Sequence, residues 1–203
     1  MRNLRYRKMQ LWIGVASIRL LIFAAHAQAQ LPVVKLIATG GTIAMKIDPV
    51  KKAPVPAISG EDLIAAVPEI AKVAKIEVLN LSNVPSDYMD PPRWIELQKA
   101  VIEAFARPEV AGVIVSHGTD TLEETAYFLD LTVPNEKPIV LIGAQRNASE
   151  RDFDGPGNLL NAARICVSRI KMIASDWPST VTSVYFPDYG ARVVPCVPPL
   201  SKF

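Results

Sequence analysis

A parallel-rich, doubly wound α/β fold is what the sequence predicts from residue 33 onward, and three observations carry that prediction. Short apolar, β-rich runs alternate with amphipathic helical stretches. Two of the runs, AGVIVS and PIVLIG, lack polar alternation, as strands do when helices cover both faces of a parallel sheet. Each run exits into a segment rich in Gly, Ser, Thr and Asp, and in such sheets ligands bind outside the carboxyl ends of the strands. With 203 residues, 50% of them hydrophobic, the chain has material for one full-sized core plus extra pieces.

The elements are expected in order as follows. A strand at 33–38 exits into TGGTIA. The stretch KIDPVKKAPVPAI at 46–58 holds three prolines and three lysines without periodicity, and reads as an irregular loop, either a mobile lid or a solvated connector. A helix at 60–67 and a strand at 76–81 follow, the strand exiting into SNVPSDYM. A helix at 92–106 opens on Pro91 and Pro92 and sets Trp94, Leu97, Val101, Ile102 and Phe105 on one face, which should cover the sheet. A strand at 110–115 exits into SHGTDT, ahead of a helix at 120–131. A strand at 138–143 then exits into GAQRNASERDFDGPGN, ahead of a helix at 156–167.

Residues 1–29 read as an export signal: a basic start (MRNLRYRK), an apolar stretch short for a membrane span, and AHAQAQ offering cleavage after Ala27 or Ala29. A retained membrane anchor is the alternative, and Arg19 within the apolar stretch suggests a start at Met9. Without a stable span after cleavage, the location expected is periplasmic or secreted. The net charge of +2 owes much to Arg2, Arg5, Arg7 and Lys8, which leaves no basic surface for nucleic acid. Cys166 and Cys196 make no disulfide framework and no metal-ligand spacing, and Cys166 reads as a buried thiol in a helix. His26 and His117 are the only histidines, which excludes a multi-histidine metal site. Hydroxyls, carboxylates, lysine and backbone are left to run any chemistry.

Gly40-Gly41-Thr42 satisfies neither the Walker pattern nor the dinucleotide fingerprint, so a phosphate cradle is a weak reading. The pair of glycines is open to two others: a turn used only for tight packing, or a turn that lifts the Thr42 hydroxyl into a pocket. In VSHGTDTLEE, Thr119 and Asp120 fall where a strand hands over to a helix, though Asp120 or Thr121 could simply cap that helix, with Glu123 and Glu124 in its first turn. Taken together, two exits with a glycine beside each threonine and a carboxylate between them suggest nucleophilic attack on an acyl group. Glycine lets a carbonyl approach, and backbone N–H groups can bind the developing oxyanion.

At these residues the chain resembles a known family. IATGGTIA and VSHGTDTLEETAYFLDLTV are similar to the two signature segments of the bacterial type II L-asparaginase and glutaminase-asparaginase family, and KPIVLIGAQRNASERDFDGPGNLLNAARI resembles the segment that follows. The likeness runs from about Pro32 to about Ser168, so an asparaginase N-terminal domain is expected at 30–168. The resemblance implies hydrolysis of L-asparagine, or of L-glutamine, to the acid and ammonia through a threonyl acyl-enzyme, without metal or cofactor. It implies Thr42 as nucleophile, Thr119 as second catalytic threonine, and Asp120 as partner of the substrate α-amino group. It implies that Ser86 binds the α-carboxylate with Asp87 beside it, and that Gly118 and Ala144 line the pocket by backbone. Ser86 and Asp120 are expected on opposite sides of a zwitterionic amino acid, and an intact member is expected to form a homotetramer.

Departures from the family pattern are equally legible. Its lysine partner of the second threonine and its smaller C-terminal domain find no match, and Lys171 lies too early to serve. Residues 43–60 hold no tyrosine, which relatives often carry in the lid. Residues 169–203 hold five prolines and no alternation that would continue the fold. They are expected to be an unmatched tail, from a frameshift near codon 168 or by natural divergence. The competing expectation for function is a truncated, non-catalytic remnant of the family.

Overall fold

The computed structural model describes residues 30–134 and 137–168, together with the backbone of two later strands. The proposed export signal and most of residues 169–203 lie outside the described residues. In chain order the strands and helices are β1 (Val33–Gly40), β2 (Met45–Ile47), β3 (Pro54–Pro56), α1 (Gly60–Ala65), β4 (Lys75–Val84) and α2 (Pro91–Phe105). There follow β5 (Val110–Ser116), α3 (Leu122–Thr132), β6 (Ile139–Ile142), α4 (Gly155–Val167), β7 (Val181–Tyr185) and β8 (Arg192–Pro195). Every strand and helix expected from the sequence is present, with ends displaced by a few residues at most.

The main sheet has the order β4-β1-β5-β6-β7-β8. All its pairings are parallel except the last, in which β8 runs antiparallel to β7. Helices cover both faces. On one, Val34, Leu36, Ile114, Val140 and Ile142 of the strands pack with Leu63 of α1 and Leu159, Ala162 and Cys166 of α4. On the other, Ile37, Val113, Val115 and Leu141 pack with Leu97 and Val101 of α2 and Ala126 and Leu129 of α3. Strands β5 and β6 are buried almost throughout, which is why their sequences lack alternation.

Helix starts follow local chemistry. Asp90 precedes α2 and accepts the Arg93 N–H at 3.1 Å, while Pro91 and Pro92 occupy positions whose N–H groups would have no partner. Ser59 and Asp62 form a reciprocal capping box at α1.

Three expectations need correction. Residues 46–58 are not wholly irregular: Met45–Ile47 pair antiparallel with Pro54–Pro56. Turn chemistry closes this hairpin, since Asp48 Oδ1 accepts the N–H groups of Val50 and Lys51 at 2.8 and 2.7 Å and Lys52 takes φ 52°. Ile102 does not face the sheet but is 45% exposed. It lies one residue, about 100° of helical turn, from the buried Val101, so it sits on the rim of the stripe. The sheet also continues past residue 168, because β7 pairs with the edge that β6 leaves open and β8 folds back on β7. The prolines that disguised this region fall outside β7, and Pro195 comes at the end of β8 on the sheet margin.

Candidate active site

The order β4-β1-β5-β6 places a switch point between β1 and β5. The connection after β1 leads to β4 on one side, and the connection after β5 leads to β6 on the other, so a crevice opens between their carboxyl ends. Thr42 leaves β1 and Thr119 leaves β5 at this point.

Glycines bring the exits together. Gly40 and Gly41 take φ of 117° and 79°, a region costly to residues with a Cβ. A Cβ on Gly41 would lie 2.2 Å from Gly118 Cα, and one on Gly40 would lie 2.3 Å from the Val84 carbonyl oxygen. A Cβ on Gly118 would in turn meet Ser86 Oγ at 2.4 Å. The exits of β1, β4 and β5 thus touch backbone to backbone at glycine, so Gly40-Gly41 serves close packing and leads directly into Thr42. Thr42 follows as the first residue of a single 3-10 turn, half-buried, with no hydrogen bond from its hydroxyl among the described residues. Thr119 is likewise half-buried with a hydroxyl unengaged among the described residues.

Ser86 is 1% exposed and bonded to Asp120. Its Oγ donates to Asp120 Oδ2 at 3.0 Å and accepts the Asp120 backbone N–H at 3.1 Å. Thr121 Oγ1 donates to the Ser86 carbonyl at 2.8 Å. One open alternative is closed and one expectation corrected here. Neither Asp120 nor Thr121 caps α3 with its side chain, because both bond Ser86 at the β4 exit. Ser86 and Asp120 do not stand on opposite sides of an empty pocket but against each other, since Gly118 lets the two exits close up.

Several surrounding polar groups are held by hydrogen bonds. Thr39 Oγ1 donates to the Ser116 carbonyl, and Ser82 Oγ to the Thr39 carbonyl, both at 2.8 Å, which ties β1 to its two neighbours. At the β6 exit Asp154 accepts the N–H groups of Gln145 and Arg146, both at 3.0 Å. Asn158 donates to the Gly143 carbonyl at 3.0 Å. Ala144 is buried within this turn, and Gly143 approaches the Thr119 methyl so closely that a Cβ there would sit 3.0 Å from it. Asp87 is exposed, and its side chain makes no hydrogen bond among the described residues. Asp154 and Asn158 were not foreseen as supports of the site, although their spacing of four at the mouth of a helix was a usable signal.

Beside the crevice, on the α1 side, a cavity of about 300 Å³ is lined by Gly40, Ala44, Ser59, Asp62, Asn80 and Ser82, among others. In its wall Ser59 and Asp62 bond each other, while Asn80 bonds the Gly60 N–H and Glu61 just beyond it. Of the residues singled out at the strand exits only Gly40 lines it; Thr42, Ser86, Asp87, Gly118, Thr119, Asp120 and Ala144 do not. Among the described residues no three His, Cys, Asp or Glu side chains cluster as metal ligands do. No helix of the described residues is long and apolar enough to cross a membrane.

Fold and strand exits together define a doubly wound α/β protein with hydroxyl-bearing loops at its switch point. Comparison with known proteins narrows this. The family model described as Asparaginase, N-terminal matches residues 33–174, a few residues beyond the end at Ser168 expected from the motifs. L-asparaginase 2-3 of Saccharomyces cerevisiae is 39% identical over 171 residues, 83% of this chain and 47% of that protein. A probable periplasmic L-asparaginase of Haemophilus influenzae is 42% identical over 145 residues, 70% of this chain and 40% of that protein. A solved structure, a probable cytoplasmic L-asparaginase from Campylobacter jejuni, is similar with TM-score 0.66 and 38% identity over 75% of this chain and 45% of that one. The chain belongs to the asparaginase family, and it spans about half the length of the curated relatives it matches, or less.

Proposed function

We propose that the protein is an L-asparaginase-type amidohydrolase that converts L-asparagine to L-aspartate and ammonia, with L-glutamine as the second candidate substrate. The observation that supports this reading is the meeting of two unengaged threonine hydroxyls with the Ser86–Asp120 pair at one switch point. Thr42 Oγ attacks the side-chain carbonyl carbon, its proton passes through a base to the amide nitrogen, and ammonia leaves as the C–N bond of the tetrahedral intermediate breaks. The resulting ester is hydrolysed by water, which restores the Thr42 hydroxyl. In this reading the Thr119 N–H, which meets no acceptor among the described residues, receives the oxyanion, and Asp120 the substrate ammonium group. Ser86, with the backbone about Gly118 and Ala144, completes the pocket, while the exposed Asp87 lies at its margin. Residues 1–29 are read as an export signal, which mass measurement of the mature N-terminus after secretion would check.

One observation favours a second reading. Among the described residues no side chain that could act as a base bonds Thr42 or Thr119. A protein that binds acidic or amide amino acids without turning them over fits that equally. Ammonia release from asparagine and glutamine, with Thr42→Ala as control, separates the two. Activity abolished by the substitution supports the amidohydrolase, and no activity in either protein supports the binder. Asp120→Ala adds a check on substrate orientation: it should impair amides bearing a free α-amino group far more than α-amino-blocked ones. Unchanged relative kcat/KM between the two would remove Asp120 from that role.

A further inference from the structure

His117 is completely buried and immediately precedes Gly118 and Thr119. Its two ring contacts decide which nitrogen carries the proton. Nδ1 lies 2.7 Å from the Gly118 carbonyl oxygen, which can only accept, so Nδ1 bears hydrogen. Burial lowers the pKa of the imidazole, against the opposing pull of the Gly118 carbonyl, Glu124 and Asp120, and this favours the neutral ring. Nε2 of a neutral ring protonated at Nδ1 must accept, and Thr125 Oγ1 stands 3.0 Å from it to donate. With its hydrogen committed to His117, the Thr125 hydroxyl accepts the Trp94 Nε1–H at 2.9 Å. The chain of donors therefore runs one way, from Trp94 on α2 through Thr125 on α3 and His117 to the Gly118 carbonyl.

In a trans peptide the carbonyl and the following N–H point in opposite directions. With the Gly118 carbonyl held against the buried ring, the Thr119 N–H is turned away from Trp94 and Thr125. It meets no acceptor among the described residues. Glycine resists rotation of this peptide less than any other residue would, so an external hold has something to do.

We infer that His117 is a positioning residue that, through Thr125 and Trp94, locks the Gly118–Thr119 peptide with its N–H presented to the oxyanion of the substrate. The use made of that N–H rests on the amidohydrolase reading; the lock does not. Neither Thr125 nor Trp94 belongs to the strand exits, so both can be altered without touching the crevice.

Thr125→Val keeps the shape of the side chain and deletes the hydroxyl, and Thr125→Ser restores it. In the full isotope-labelled chain, imidazole nitrogen shifts should report the neutral Nδ1–H form across mildly acidic and neutral pH. Thr125→Val should shift the Gly118 carbonyl and Thr119 amide resonances and speed exchange of that amide, and Thr125→Ser should return them. In the asparagine assay Thr125→Val should lower kcat about tenfold or more with KM within about twofold, and Thr125→Ser should recover most of the loss. If Thr125→Val does not fold, Trp94→Phe, which removes the first donor, should give the same changes in smaller degree. An Nε2–H tautomer, or Thr119 resonances indifferent to these substitutions, overturns the inference. If the parent chain releases no ammonia, the amidohydrolase reading fails and the resonances alone decide whether the lock exists.

Discussion

Ser86 and Asp120 are joined twice, side chain to side chain at 3.0 Å and Asp120 N–H to Ser86 Oγ at 3.1 Å. A serine hydroxyl has one hydrogen, so Ser86 can donate to a substrate carboxylate only by turning away from Asp120. Losing that link costs about 1 kcal/mol, a cost readily offset when a ligand ammonium group reaches the carboxylate it leaves. Ser86→Ala should therefore weaken L-aspartate binding about tenfold, or about 1.4 kcal/mol. Calorimetric titration of parent and variant would show it, and an unchanged affinity would mean that Ser86 does not touch the ligand.

Gly41 should be intolerant of substitution where Gly157 is not. Gly41→Ala combines φ 79° with a backbone approach of 2.2 Å that no side chain can relieve. Positive φ alone costs an ordinary residue about 1–2 kcal/mol and overpacking about 1–3 more, so a loss of about 3 kcal/mol in denaturant unfolding is expected. Gly157, in the first turn of α4, would meet nothing within 4 Å. Gly157→Ala should stabilise by about 0.5–1 kcal/mol, since it only improves helix propensity and restricts the unfolded chain.

At the opposite end of the sheet Arg107 grips Glu77 with both terminal nitrogens, at 2.5 and 3.3 Å, and Lys75 adds a contact at 3.3 Å. The guanidinium holds the Glu77 carboxyl down from 4.5 to about 2. A carboxyl lowered on folding stabilises the native state above its unfolded value, and this contribution fades as pH falls from about 4.5 through about 2. Thermal midpoints of the parent and Glu77→Gln should differ most near neutrality and converge toward pH 2. A gap that stayed constant with pH would mean that the substitution acts through packing rather than charge.

How much of this was legible beforehand follows from the range of each interaction. The placement of Thr42 and Thr119 at the exits of β1 and β5 was readable because strand, exit and helix mouth are contiguous in sequence. The hydrogen bond between Ser86 and Asp120 spans 34 positions and depends on the close approach of the exits at Gly118, so local patterning left helix capping by Asp120 or Thr121 open. The same limit hid β7, whose pairing is set by the open edge of β6 and not by periodicity of its own. The hairpin at 45–56 escaped because prolines break alternation while Asp48 closes the turn. His117 was readable only as the absence of a metal site, since its partner Thr125 lies eight residues on and Trp94 comes from another helix.

Asp154 makes the last prediction. It is 7% exposed, and its two oxygens accept the N–H groups of Gln145 and Arg146 while Asn158 Nδ2 reaches it at 3.2 Å. Charge-assisted bonds of this kind contribute roughly 1.5–3 kcal/mol each, though not additively. Asp154→Ala should cost about 3 kcal/mol of stability, and Asp154→Asn less, because an amide oxygen can still accept one of the two N–H groups. Hydrogen exchange would separate a local role from a global one. Gln145 and Arg146 amides should lose protection in Asp154→Ala well beyond the global fall, whereas a uniform loss across the sheet would show that Asp154 supports the fold and not specifically the β6 exit beside Thr119.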